Sequence, residues 1–356
     1  MIEKIKAVLR PIYVPVLGKY NHWKLERSFV KSLGKMLKNT AFIIGSPVYS
    51  NLGDSAIFLA QNQMIENSGW RTKELTYREF YDFHNSVRRI IKRQNPIFGM
   101  GGGNMGNQWP DEERIRIDII HEFPENPIII FPQTLYFVGD IEAAIKDSKA
   151  LYNSHRDLTI VAREQKSFEL MTDYYPNAKL LLTPDIVLST TMEDYGVIPE
   201  TRDGVLFVTR SDPEKAVSDA TWEKLEKTAT QNGKACRHTD MYSEIPVTKE
   251  NRAECVRKKM QEFCGAELVI TDRLHGMVFA ALTGTPCIVF SNYNHKVKGT
   301  YDWISYLPYI RYVETVEEAE KAVPELLAME NCKFDNTPLM PYFDKLAEVV
   351  KEKCHR

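Results

Sequence analysis

No run in this sequence is long and apolar enough to cross a bilayer; the richest, Pro127 to Gly139, is short and interrupted by polar residues. The basic N-terminus is followed by no continuous apolar region and no small-residue cleavage site, so no secretory signal is read. The six cysteines all fall in the second half at irregular spacings without a CxxC pair, which removes sequence support for a zinc site. Without an export signal they read as reduced thiols in the cytoplasm, and Cys287, inside an apolar run, reads as core packing. A formal net charge of −2 gives no reason to expect nucleic acid as a partner. Residues 101–106, GGGNMG, spell GxGxxG but have no matching acidic residue in context and are not read as a dinucleotide fingerprint; there is no Walker loop, no internal repeat and no low-complexity tract.

What is present suits a soluble globular protein: 356 residues, 43% apolar and 26% charged, enough for two domains. Apolar strands alternate with polar loops and helices: Ala41–Ser46, Pro96–Met100, Pro127–Gln133, Leu158–Glu164 and Leu180–Leu188 read as strands. Asn51 to Asp54 reads as a loop before a helix from Ala56 to Ile65, and Asp111 to His121 as a further helix. A polar stretch without periodicity, Ser189 to Gly204, is the candidate linker. The alternation restarts with strands at Gly204–Arg210, Ala266–Asp272, Pro286–Ser291 and Tyr309–Glu314. Helices are expected around Trp222–Thr230, Lys249–Cys264, Gly276–Thr283, Val316–Met329 and Tyr342–Lys353. This predicts an α/β protein with parallel sheets covered on both faces, and a ligand cleft between two units.

Charge is concentrated at the start. Residues 1–40 hold seven Lys and two Arg against Glu3 and Glu26. Leu25, Phe29, Leu33, Met36 and Leu37 share one helical face, while Lys24, Arg27, Lys31, Lys35 and Lys38 take much of the rest. Residues 1–38 therefore fit an anionic membrane surface, with Tyr13 and Trp23 as interfacial anchors; a helix packed on the protein body with a solvated basic face is the alternative.

The sharpest chemical signal is Thr271-Asp272-Arg273-Leu274-His275-Gly276, where an apolar strand runs into an apolar helix. Strand ends and helix N-termini favour anions. Arg273 adds a bidentate fork for carboxylate or phosphate, and His275 adds proton transfer near neutrality. His275 capping its helix and Arg273 pairing with Asp272 is the structural alternative. Gly101-Gly102-Gly103-Asn104 follows another strand, where glycines allow close backbone approach to a ligand. Asn51 and Asp54 follow the first strand; Asp54 also fits a helix N-cap. Arg163 and Arg210 close strands in the first and second units, and Lys296 and Lys298 lie in a polar loop within reach of a cleft. Cations at strand ends suit an anionic substrate.

In combination, SNLGD (residues 50–54), GGGNMGN (101–107), VAREQKSFELM (161–171), TPDIVL (183–188), TDRLHGMVFAALTGTPCIVF (271–290) and HKVKGTY (295–301) resemble the polysaccharide pyruvyl transferase family. The members from bacterial exopolysaccharide operons are the most similar in this respect. The resemblance runs from Ile43 to Tyr301 and implies a GT-B-like pair of Rossmann-type domains facing a central cleft. Divided accordingly, residues 1–40 are a basic leader and 41–195 an acceptor-side domain. Residues 196–330 are a donor-side domain, and 331–356 a helix packing back on the first. It also implies phosphoenolpyruvate (PEP) as donor, a sugar of a cell-surface polysaccharide precursor as acceptor, possible lipid linkage of that acceptor, and a pyruvate ketal as product.

By matched motif, His275 corresponds to the catalytic histidine and Lys296 to a downstream lysine. Arg163 and Arg273 match arginines associated with the donor; Leu274, Gly276 and Arg210 are assigned to PEP beside them, and Asn51, Asp54, Gly102, Gly103 and Asn104 to the acceptor side of the cleft by their places at strand ends. No metal and no cofactor are expected, and the protein is expected in the cytoplasm, peripheral on the inner face of the plasma membrane. A nucleotide-sugar glycosyltransferase and a non-catalytic polysaccharide-assembly protein are the competing readings.

Overall fold

A computed structural model describes residues 21–36, 38–210, 217–292 and 294–353, apart from the side chain of Asp147. The strands are β1 (Thr40–Ile44), β2 (Arg71–Leu75), β3 (Ile97–Gly99), β4 (Gly102–Met105), β5 (Ile128–Leu135), β6 (Leu158–Ala162), β7 (Lys179–Leu182), β8 (Val205–Val208), β9 (Cys236–Thr239), β10 (Leu268–Thr271), β11 (Cys287–Phe290) and β12 (Ile310–Val313). Helix α1 covers residues 21–32. It is followed by α2 (Leu52–Asn67), α3 (Tyr77–Asp82), α4 (His84–Ile90), α5 (Pro110–Glu122), α6 (Ile141–Ser154), α7 (Gln165–Tyr174), α8 (Asp219–Gln231), α9 (Arg252–Cys264), α10 (Leu274–Leu282), α11 (Lys296–Ile304), α12 (Val316–Leu327) and α13 (Met340–Glu352).

The strands form two sheets. The first runs β2-β1-β3-β5-β6-β7, with β4 also paired to β5; the second runs β12-β11-β10-β8-β9. Every pairing in both is parallel. Successive side chains of a strand point to opposite faces, and here both faces are dry. In β1, Ala41 and Ile43 enter the core between the sheets, whereas Phe42 and Ile44 enter an outer core. In β10, Val269 turns inward and Leu268 and Ile270 outward. The result is the GT-B-like arrangement of two Rossmann-type halves. The inner core draws on both: Ile43 and Phe131 come from the first, Val208 and Phe279 from the second.

Strand order fixes where a ligand can sit. In an open α/β sheet the crevice lies beyond the carboxyl ends of strands where the winding direction reverses. In the first sheet the chain leaves β1 toward β2 and then resumes on the other side at β3. In the second it leaves β8 toward β9 and resumes at β10. The residues after β1, β3, β8 and β10 therefore converge.

Several local expectations are corrected. Leu180–Leu188 is not one strand: β7 stops at Leu182, and Ile186–Ser189 is a 3-10 turn capped by Asp185, whose carboxylate accepts the Val187 N–H. In the expected Asn51–Asp54 loop, Leu52 to Asp54 are already helix. Asn51 is the N-cap of α2, accepting from the Gly53 N–H, so Asp54 is not the cap. Part of the glycine cluster is itself a strand, β4. Lys296 and Lys298 stand in the first turn of α11 rather than in a loop.

At the start, Phe29 and Leu33 are buried in the outer core of the first half, with Phe29 stacked on Phe83 at 4.6 Å. Trp23, Leu25 and Val30 are exposed. The predicted apolar stripe is thus split, part of it turned inward; Tyr13, Leu37 and the rest of residues 1–20 lie outside the described residues. At the other end α13 buries Phe343, Leu346, Val349 and Val350 in the inner core, worth roughly 1.5–3 kcal/mol per side chain. Trp70 in the first half donates its indole N–H to the Val350 carbonyl at 3.2 Å. No helix among the described residues is long and apolar enough to span a membrane.

Candidate active site

The convergence of the two switch points leaves a cavity of about 250 Å³, lined by Asn51, Asp54, Gly103, Asn104, Arg163, Arg210, Arg273, Leu274, His275 and Lys296. Ten of the twelve sequence-predicted positions thus meet at one place. The other two do not reach it. Gly276 faces β10, where a Cβ would stand 2.4 Å from Thr271 Oγ1, so its role is close helix–strand packing. Gly102 provides the turn into β4, at φ +151°.

Arg273 is held by Asp240 rather than Asp272. Its Nε and Nη2 donate to the two carboxylate oxygens at 2.7 and 2.8 Å, and its guanidinium lies over the Tyr242 ring at 5.0 Å. This fork-to-fork geometry fixes the plane of the guanidinium. Arg163, fully buried, donates Nη1 to Asp185 at 3.0 Å and Nε and Nη2 to Thr134 Oγ1 at 3.1 and 2.7 Å. Gly103 leaves room for it: a Cβ there would lie 2.7 Å from Arg163 Nη2 and 3.6 Å from Lys296 Cδ. Lys296 is buried at the start of α11, which is pinned to the first half by the Trp303 indole N–H donating to the Arg163 carbonyl at 2.9 Å. Lys298, one turn face away, is exposed and pairs with Asp302.

His275 does not cap its helix; α10 has Arg273 at its N-cap and no side-chain cap bond. Instead, its Nε2 stands 3.5 Å from Asp185 Oδ2, while the other edge of the ring lies against Gly53. Asp185 thus joins Arg163 of the first sheet to His275 of the second. Burial alone would raise the Asp185 pKa, but His275 and Arg163 override it and hold the carboxyl well below the usual range. Asp54 is shifted the other way. Burial raises it, against the lowering pull of His275, a Tyr49 hydrogen bond, Arg163 and Lys296. Asp272, buried behind the site, accepts the Arg210 backbone N–H at 3.1 Å and is pushed up to about 6 by burial, with Arg210 opposing.

The mouth is aromatic and acidic. Tyr49, Trp109, Glu112, Met241 and Tyr242 line it, and the rings of Tyr49, Trp109 and Tyr242 are exposed. Glu112 accepts from the Tyr77 hydroxyl, and Asn104 is fixed by Arg116, which donates to its side chain at 2.9 Å. The ensemble offers four cations, an acid–base histidine and a wet aromatic rim. That set suits a small polyanion joined to a polar acceptor. No cluster of His, Cys, Asp and Glu able to hold a metal ion occurs among the described residues.

The family model for polysaccharide pyruvyl transferase matches residues 51–295. The chain belongs to that family. It is therefore a transferase. It is 32% identical over 282 residues to General stress protein 30 of Bacillus subtilis, across 76% of this chain and 79% of that protein. It is 27% identical over 269 residues to Pyruvyl transferase 1 of Schizosaccharomyces pombe, across 70% and 65% of the two. A solved structure of an uncharacterized Klebsiella pneumoniae protein is similar in fold alone, with a TM-score of 0.55, 17% identity and coverage of 82% and 98%.

In this pyruvyl transferase the residues that sequence reasoning missed are the ones that hold others. Asp185 lies inside the TPDIVL motif but has no role assigned from sequence; its place after Pro184, where an Asx-type cap is expected, is the local signal. Asp240, Tyr242 and Trp109 carry no local signal; strand pairing brings them in.

Proposed function

We propose that the enzyme transfers the pyruvyl group of PEP to two hydroxyls of one sugar in a cell-surface polysaccharide precursor, forming a cyclic ketal and releasing phosphate. The observation that carries the reading is the set of Arg163, Arg210, Arg273 and Lys296 around one small cavity with His275. PEP bears a carboxylate and a phosphate, and the fixed guanidinium planes match both. His275, poised over anionic Asp185, supplies the proton that the methylene carbon of PEP gains. Lys296 and the arginines stabilise the departing phosphate without a metal ion. Domain for domain, the first half holds the acceptor and the second most of the donor. Trp23, Leu25 and Val30 beside Lys24, Arg27 and Lys31 support docking to an anionic membrane carrying a lipid-linked acceptor.

The test is phosphate release from PEP with candidate saccharides in buffer containing EDTA, beside melting curves with PEP and with UDP-sugars. A rise in melting temperature with PEP, and turnover that survives EDTA, are expected. Stabilisation by UDP-sugars alone would replace this reading with a nucleotide-sugar glycosyltransferase.

A further inference from the structure

Transfer to a hydroxyl needs a second proton-handling group besides the one that protonates carbon. Most carboxylates around the cleft are committed elsewhere. Asp185 is bound to Arg163 and faces His275, Asp240 is clamped on Arg273, and Glu112 accepts from Tyr77. Asp54 differs. It projects into the cavity from the first turn of α2, where Asn51 has taken over capping, and its hydrogen-bond partner is the Tyr49 hydroxyl rather than a guanidinium. It stands where the two halves of the chemistry meet. His275, Arg163 and Lys296 act on it from α10, the end of β6 and α11. Tyr49, Tyr77 and Glu112 act on it from the loop before α2, from α3 and from α5.

We infer that Asp54 is the catalytic residue that takes the proton from the attacking acceptor hydroxyl, with the sugar ring laid against the exposed rings of Trp109 and Tyr242 at the mouth. This rests on PEP being the donor. His275 gives a proton to the methylene carbon of PEP. The first hydroxyl oxygen bonds to C2 as its proton passes to Asp54. The C2–O bond to phosphate then breaks, its electron pair leaving with phosphate, which takes the proton from Asp54. The second hydroxyl oxygen bonds to C2, and its proton, collected by Asp54, replaces the one His275 gave up. Both hydroxyl protons are thus accounted for, one on the new methyl group and one on phosphate.

Burial raises Asp54 above the ordinary carboxylate range, which suits a group that must hold a proton briefly. Because only the ionised carboxylate can accept a proton, kcat should rise with pH through the Asp54 ionisation. The Tyr49 hydrogen bond favours the ionised form, so removing it should move that rise to higher pH.

The experiment measures phosphate release from PEP with a panel of p-nitrophenyl hexopyranosides, using the fastest as acceptor for wild type, Asp54→Asn and Tyr49→Phe. Asp54→Asn is expected to keep the PEP-induced rise in melting temperature while kcat falls about 10²-fold or more. Tyr49→Phe is expected to shift the acid limb of the kcat profile upward in pH. If wild type turns over but Asp54→Asn stays within about threefold of it, Asp54 is not the proton acceptor and the pyruvyl-transfer reading stands. Should Asp54→Asn fail to fold, Tyr49→Phe decides, and an unmoved acid limb overturns the assignment. A wild-type protein that neither binds PEP nor releases phosphate from it removes the reading on which the proposal rests.

Discussion

Gly53→Ala is a one-methyl probe of His275, the histidine proposed above to be catalytic. Gly53 lies in the first turn of α2, in ordinary helical conformation, where alanine should favour the helix by about 0.5–1 kcal/mol. Yet a Cβ at that position would stand 2.4 Å from His275 Nδ1 and 2.6 Å from its Cγ. Non-bonded heavy atoms settle near 3.5 Å, so ring and helix must part by about 1 Å. The ring cannot retreat freely, because Asp185 stands on its other side at 3.5 Å. A misplacement of that size costs about 10²-fold in turnover, or about 2.7 kcal/mol of barrier. The overpacking penalty of about 1–3 kcal/mol should outweigh the helix gain, giving a modest fall in melting temperature. Steady-state phosphate release and thermal melts read the two effects separately. In a His275→Ala background only the 3.0 Å approach to the Cβ retained at position 275 is left, and the same Gly53→Ala change should cost less stability. Activity of Gly53→Ala within about threefold of wild type would refute the placement of His275 against this helix turn.

The two lysines of α11 separate in the same assay. Lys296→Met should lower turnover by about 10²-fold, the scale of losing one electrostatic donor at a reacting centre. Lys298→Met, which gives up an exposed pair with Asp302 and contacts with the Tyr301 and Tyr312 rings outside the cleft, should change it less than about twofold; the reverse pattern would move the chemistry out of the cleft. Asp272→Asn tests the buried carboxylate through stability. With its folded value raised to about 6, Asp272 favours folding while protonated, and that contribution is lost as pH rises from its unfolded value through about 6. By linkage the loss approaches about 3 kcal/mol at neutral pH. The asparagine variant should therefore be more stable than wild type at pH 7.5 but not at pH 4 in urea titrations. An unchanged difference between the two pH values would count against a strained Asp272.

The parallel α/β plan was legible because nearly every central strand is apolar on both faces, as in TAFII and LVIT. The edge strands β2 and β9, Arg-Thr-Lys-Glu-Leu and Cys-Arg-His-Thr, carry no such pattern, since only one side of an edge strand is covered. The start of α11 read as loop because its buried positions, Lys296, Val297 and Thr300, include two polar residues. SNLGD was legible as a motif but not as a mechanism. Its residues divide the work: Asn51 caps, Leu52 fills the core, Gly53 clears space for a histidine more than 200 positions away, and Asp54 faces the cleft. Such a division follows from strand order, which no local pattern encodes.

The shared inner core bears on how the enzyme cycles. The halves are joined by more than a linker. The Leu52 N–H donates to the Met241 carbonyl at 2.8 Å, the Ser243 N–H donates to the Ser50 carbonyl at 2.7 Å, and buried Arg252 of the second half reaches the Pro47 carbonyl and Glu74 of the first. Jaws that hinge open would have to tear this apolar interior and wet it on every turnover. The cleft is instead a socket cut into one continuous apolar core. On the proposed reaction, a change of acceptor preference can then be reached by altering Trp109 at the rim without disturbing the cations of the inner wall.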